Sequence, residues 1–331
     1  MQKLIDIKRR MEAVEGIQTI ARSLSTVSSA KLSRTRSRAS GGRLYVGKMR
    51  EMLERQLAYA SAIGVPLSEI SPLLAAHESR KRVLFIHLSG DRGMCGNYNA
   101  VVNRATAADL SRLRDEQRDV QLVLVGKHGE RYLTRRFDAP VRSADAWPRA
   151  GVSDEFVDGI YSLANEAFLG GEVDEVWCRY TRYLSAVQRH PVLVRLLPIE
   201  VRQPALVLED EAAAQDADTM QPLTVRPVAP LVRWWHEPSM NDVLDALLGL
   251  FARAQFEDVL LESYASEQAA RMVTMEEASE RADRTLLELR TRYNRLRRES
   301  ITSDLLGVLF ASRMRGETVI GGQPYRGGGS S

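Results

Sequence analysis

Only two cysteines, Cys95 and Cys178, occur in 331 residues. Neither sits in a metal-ligand spacing or suggests a disulfide scaffold, so the expected compartment is a reducing, cytosolic one. No apolar run approaches the eighteen or so residues that would span a bilayer. The N-terminus opens with an amphipathic, acid-containing helix pattern instead of a signal peptide, so any work at a membrane is expected to pass through partners. Strong net charge is missing too: the formal value is +3 with 27% charged residues, which does not announce a polyanion. His77, His87, His128, His190 and His236 are scattered without HExxH or Cys/His spacing, which leaves a metal site unsupported. Cys95 has no neighbouring base in sequence, so it does not read as a nucleophile. Finally, proline is missing between Pro238 and Pro324.

That last absence lets one helix run from Asp242 to about Met314, on the order of 100 Å at 1.5 Å per residue. Its inward positions alternate three and four residues apart: Met272, Met275, Ser279, Ala282, Leu286, Leu289, Tyr293, Leu296 and Ser300. This is a heptad seam, and a helix so long must find a partner. The other end of the chain supplies one. Leu4, Ile7, Met11, Val14, Ile17, Ala21, Leu24 and Val27 carry the same spacing, and helical composition continues to about Leu57. The two ends are expected to pair as an antiparallel coiled coil. The first helix has strongly basic outer faces, but no aromatic residue interleaves its run from Lys31 to Arg43, so a solvated face or a basic shaft in an acidic sleeve is favoured over nucleic-acid binding. Gly41 and Gly42 are a place where this helix is expected to bend or fray.

Between the helices the pattern changes. Arg82–Ser89, Gln121–Val125, Glu175–Tyr180 and Pro191–Leu197 read as strands, and Ala100–Arg114, Glu130–Phe137 and Asp154–Phe168 as helices. This alternation predicts a three-layer, Rossmann-like α/β domain with a largely parallel sheet. The expected organisation is a coiled-coil helix over 1–60, a connector over 61–80, the α/β domain over 81–202, an acidic, proline-rich linker over 203–238, the second coiled-coil helix over 239–315 and a disordered tail over 316–331. Trp234-Trp235-His236 is expected to pin the linker onto the α/β domain. The glycine-rich loop Ser89–Asn99 follows the first strand, where such a domain would hold a phosphate. Its spacing matches neither the dinucleotide fingerprint nor a P-loop, so a tight strand-to-helix turn is the favoured reading, and Gly126–Gly129 reads as another.

These stretches together resemble the gamma subunit of the F-type rotary ATP synthase. Asp6-Ile-Lys-Arg-Arg10, Ile17-Gln-Thr-Ile20 and Arg43-Leu-Tyr45 are similar to the family's opening helix, and Ser89–Asn99 to its SDRGLCGGFN loop. Ser185–Leu197 resembles its strand ending in LLP. The densest likeness is Ser266-Glu-Gln-Ala-Ala-Arg-Met272, with Met275, Tyr293-Asn294 and Ile301-Thr302 at family spacing. The resemblance implies a non-catalytic central-stalk rotor: a coiled-coil shaft inside a hexamer of alpha and beta subunits, with the α/β domain at its base beside the epsilon subunit and the membrane c-ring. It implies that ATP, ADP and Mg are bound by the alpha and beta partners and not by this chain, that no nucleic acid is involved, and that the chain sits peripherally on the cytoplasmic face of a bacterial inner membrane. Arg22, Arg297, Arg298 and Thr302 fall on positions implied to contact the beta subunit. Leu305, Leu306, Val308, Leu309 and Phe310 form the implied apical bearing, and Asp91, Arg92, Gly93, Cys95 and Gly96 the loop of the foot domain. Arg298, Asp304, Gly307 and Phe310-Ala311 depart from the family's usual residues, as in a divergent bacterial member. The alternative is a coiled-coil tether carrying an α/β module, and a third class is an enzyme built on the α/β domain. The apolar tip argues against the tether, since it needs an enclosing sleeve.

Overall fold

The computed structural model describes residues 2–75, 80–202, 222–225 and 236–314. Two helices dominate it, α1 (Gln2–Ala62) and α6 (Met240–Met314). Gly41 and Gly42 do not interrupt α1, which continues through them as regular helix. Ser239 caps α6 by accepting a hydrogen bond at Oγ from the Asp242 amide (3.2 Å).

The chain divides into two compact units, one of residues 1–22 and 277–331, the other of residues 23–276. In the larger unit, α2 (Leu67–Ile70) and a 3-10 turn (Pro72–Leu74) follow α1 and lead into the sheet. The remaining elements are β1 (Arg82–Leu88), α3 (Tyr98–Asp115), β2 (Asp119–Val125), α4 (Lys127–Leu133), β3 (Val141–Asp145), α5 (Asp154–Leu169), β4 (Glu175–Tyr183) and β5 (Arg189–Leu197). The strand order is β3-β2-β1-β4-β5, parallel except for the antiparallel β4–β5 pair. A separate two-stranded ribbon pairs β6 (Val201–Arg202) with β7 (Leu223–Thr224). The rest of the acidic stretch, Trp234, Trp235 and the tail lie outside the described residues; His236 meets Gln56 of α1 through Nε2 and Oε1 at 2.8 Å.

Period-two alternation explains the layers. Val83 and Phe85 of β1, with Leu122 and Leu124 of β2, face Leu110 and Leu113 of α3 and Leu133 of α4. Leu84, Ile86 and Leu88 point the other way, onto a larger core built with α5, the second half of α1 and the first third of α6. Both faces of β1 and of the second half of β2 are therefore covered, which is why Val83–Ile86 and Leu122–Val125 are continuous apolar runs.

In the smaller unit the two helix ends run antiparallel: Glu15 pairs with Arg290 at 3.0 Å and Arg22 with Asp283 at 2.9 Å, so position falls on α6 as it rises on α1. Ala21, Ser279, Ala282, Leu286 and Leu289 are buried between them. Every seam position expected on α6 is turned inward. On α1 the seam departs from the apolar pattern: Ile17 is 58% exposed while Gln18 turns inward, and further along Val27 is 52% exposed while Ser28 is 1% exposed.

Candidate functional site

Three loops meet at the C-terminal ends of β1, β2 and β3, the crevice where a doubly wound sheet ordinarily receives a ligand. Asp91, just beyond β1, ties them together. Its Oδ1 accepts from the Lys127 amide after β2 (3.1 Å), and its Oδ2 accepts from the Trp147 amide after β3 (2.8 Å). The Trp147 indole N–H donates to the Ser89 carbonyl at 2.5 Å. Gly126 makes this closure possible: at φ +98° its missing Cβ would lie 2.2 Å from the Ser89 carbonyl oxygen. Gly129 is equally constrained, since a Cβ there would sit 2.3 Å from the His87 ring.

The side of the crevice facing away from the sheet is filled by α6. Arg271 donates from Nη2 to the Arg92 carbonyl (3.3 Å) and from Nε to the Gly93 carbonyl (3.4 Å). Tyr98, at the start of α3, donates to the Ser263 carbonyl at 3.2 Å, and the Trp147 ring lies 5.4 Å from that of Tyr264. Gly96 adopts a left-handed φ of +59°, and a Cβ there would press to 3.0 Å from Thr274 Oγ1. All ten residues from Leu261 to Ala270 are buried, although this part of α6 carries serines, glutamates and a glutamine. The two most family-like stretches, Ser89–Asn99 and Ser266–Met272, are thus packed against each other.

Electrostatics reinforce the junction. Glu267 is 3% exposed and pairs with Arg271 at 2.5 Å. Burial raises the Glu267 carboxyl above its ordinary range, while Arg271 opposes that shift. Lys31 of α1 is pulled down by partial burial and by the nearby Arg92 and Arg271 charges. Burial also raises the Cys95 thiol, whose neighbours are Asn99 Nδ2 at 3.3 Å and the Arg92 carbonyl at 3.7 Å, so it has no base to activate it. Beneath the loop, His87 is wholly buried, and desolvation lowers it to about 4. As a neutral ring it donates from Nε2 to Asn103 Oδ1 (2.9 Å) and accepts at Nδ1 from Thr106 (2.8 Å).

The expected shaft residues lie in the smaller unit. Arg22 reaches Asp283 and also donates to Ser279 Oγ at 3.2 Å. Arg297, Arg298 and Thr302 are exposed, with Thr302 Oγ1 donating to the Arg298 carbonyl at 3.0 Å. Arg22 does not join them: its partner Asp283 is about 20 Å down the α6 axis from Arg297. The Glu15–Arg290 register puts Gln2, the first residue of α1, opposite about residue 303 of α6. On that end Leu305, Leu306, Val308, Leu309 and Phe310 are between 48% and 68% exposed and cover roughly 200° of the helix circumference, with Asp304, Gly307 and Ala311 on the remaining face.

Asp91, Arg92, Gly93, Cys95 and Gly96 are therefore brought together in one clamped loop, while Leu305–Phe310 form a bare tip. Sequence reading missed Trp147, Tyr264 and Glu267 as members of the junction. Trp147 carried one signal, a tryptophan beside Pro148 in a connecting segment, where burial had to be specified by something outside its own element.

Among the described residues no group of three or more His, Cys, Asp or Glu side chains could hold a metal, and no helix is long and apolar enough to cross a membrane. Comparison with known proteins identifies the class. Residues 3–311 match the family model described as ATP synthase. The chain is 31% identical over 311 residues to the ATP synthase gamma chain of Desulforudis audaxviator, covering 93% of this chain and 98% of that one. In fold it is similar to a chain of the central stalk and c-ring of the Tetrahymena thermophila mitochondrial ATP synthase, with a TM-score of 0.53 at 22% identity over 78% of this chain and 99% of the other. It is also similar to a chain of the Euglena gracilis mitochondrial ATP synthase, with a TM-score of 0.57 at 15% identity over 98% and 99% of the two. Matched over residues 3–311 by that family model and over 93% of its length by a gamma chain, this chain belongs to the ATP synthase gamma-chain family.

Proposed function

We propose that this chain is the central-stalk rotor of an F-type ATP synthase, a non-catalytic subunit that couples rotation of a membrane c-ring to the catalytic sites of an alpha/beta hexamer. The observation that carries the reading is the tip of α6, where five large apolar side chains stand exposed within six residues. Such an apolar surface marks an interaction site, and a sleeve enclosing it would be a bearing. Leu305, Leu306, Val308, Leu309 and Phe310 are that bearing in this reading. Arg22, Arg297, Arg298 and Thr302 face the beta subunits, and the α/β domain over 81–202, carrying the Asp91–Gly96 loop, forms the foot beside the epsilon subunit and c-ring.

An axle needs no chemistry of its own. It changes the catalytic sites only by making different contacts with each at a given angle, and the free-energy difference between those contacts sets how far each site is shifted. ATP, ADP and Mg then belong to the alpha and beta partners, and the complex places this chain peripherally at the cytoplasmic face of the bacterial inner membrane. Affinity purification of the tagged chain from its native membranes tests the reading. Alpha, beta and epsilon subunits with ATPase activity should co-elute; an inactive eluate without them would favour a tether instead.

A further inference from the structure

We infer that Trp147 is a torque-transmitting positioning residue, the strut that locks the α/β layer onto α6. This rests on the rotor reading and deepens it. The layer is an insertion between α1 and α6, so a twist entering through it must reach α6 across packed contacts as well as along the chain. Trp147 is 7% exposed and belongs to both sides of that junction. On the layer side, its amide donates to Asp91 and its indole N–H to the Ser89 carbonyl, fixing the loop after β3 to the loop after β1. On the α6 side, its ring packs at 5.4 Å against Tyr264, and at 5.8 Å against Phe156 of α5.

Its neighbours do not duplicate this role. Among the described hydrogen bonds, those of Arg271 to the loops go to the β1 loop alone, through the carbonyls of Arg92 and Gly93. Tyr98 fixes α3 to Ser263. Among the described contacts, Trp147 joins the β3 loop, the β1 loop and α6 in a single rigid ring system with few rotatable bonds, which suits a strut better than a flexible ion pair does. At the crevice that would hold a ligand in a doubly wound enzyme, the indole here ties two loops to α6, beside a cavity of about 710 Å³ lined by Lys31, Asp91, Lys127, Glu267 and Arg271.

The test places Trp147→Ala, Trp147→Phe and Tyr264→Leu in the complete complex and measures torsional stiffness by a probe attached to the α/β layer, together with ATP hydrolysis without load. Trp147→Ala should lower the stiffness by about twofold or more, because the joint opens more often once its cross-contacts are lost, while unloaded hydrolysis stays within about twofold of the parent. Trp147→Phe keeps the ring and loses the N–H, so it should fall between parent and Ala. Tyr264→Leu removes the ring on the α6 side and should soften the joint even where Trp147→Ala does not assemble. Parental stiffness in Trp147→Phe and Tyr264→Leu would overturn the inference, as would a proportional fall in hydrolysis and stiffness. Failure of the parent chain to assemble with its partners would instead refute the rotor reading, and the strut with it.

Discussion

Arg271→Ala removes the guanidinium that lies against Glu267 and the carbonyls of Arg92 and Gly93. Glu267 is then left as a carboxylate only 3% exposed without its nearest countercharge, a change that costs about 3–5 kcal/mol when one member of a buried pair is lost. The cost depends on pH in a defined direction. Burial already raises the folded-state value of Glu267 above that of the unfolded chain. A raised carboxyl is favourable in its protonated form, so stability is greatest below the unfolded value near 4.5 and is lost as pH rises through the folded one. Removing Arg271 widens that window, because Arg271 was the principal influence holding the folded value down. Denaturant unfolding of the purified full-length chain at pH 5 and pH 8 checks this, with Arg271→Ala losing more stability at pH 8 than at pH 5. Adding Glu267→Gln should return part of the loss. A loss below about 1 kcal/mol, or one equal at both pH values, would refute the idea that the junction is centred on a desolvated ion pair.

Three further perturbations probe other levels. Gly129→Ala forces a methyl to within 2.3 Å of His87 and should destabilise the chain by about 1–3 kcal/mol or more, measured by urea midpoint, whereas Gly93→Ala meets nothing within 4 Å and should be close to neutral. His87, lowered by burial to about 4 from 6.5, contributes stability above the unfolded value that is lost as pH falls from about 6.5 to about 4, on the order of 3 kcal/mol, and His87→Gln should flatten that part of the pH–stability profile. Arg297→Ala should leave assembly intact and slow ATP-driven turnover by up to about fivefold, the scale of an exposed or half-enclosed charge contact; unchanged turnover would remove Arg297 from the proposed beta-subunit contacts.

Much of this architecture was legible in the chain because it is periodic. The α6 seam from Met272 to Ser300 could be written down from spacing, and the structure turns each of those positions inward. The α1 seam was legible only in part. Its inward positions include Gln18, Ala21 and Ser28, and an apolar-period search moves to Ile17 and Val27, which are exposed. Ala21 and Ser28 are small enough to let two backbones approach and Gln18 turns in to meet Asp283, signals that hydrophobicity does not carry. The edge strand β3 was missed for a related reason: Val-Arg-Ser-Ala-Asp has one large apolar residue and follows Pro140, and its partner β2 supplies the order that its own composition lacks. The turn at Gly126–Gly129 is a short helix from Lys127, despite a glycine within it, since Gly129 is required by the His87 ring and not by the backbone path. The loop Ser89–Asn99 was read as a strand-to-helix connection, and it leads from β1 into α3 at Tyr98. That Arg271 and Trp147 would close over it was not readable, because those contacts join residues far apart in sequence and are fixed only when the sheet and α6 have formed.

Leu309 divides folding from function most cleanly. It is 64% exposed, so Leu309→Asp should change the stability of the isolated chain by no more than about 0.5 kcal/mol and yet impair the assembled complex, if the tip is a bearing. The most direct measurement is rotation itself: a probe fixed to the α/β layer of this chain, observed in a surface-held alpha/beta hexamer supplied with ATP. Unidirectional turning that is lost or slowed in Leu309→Asp is the expected result. A probe that stays fixed while the same complexes hydrolyse ATP would contradict the account.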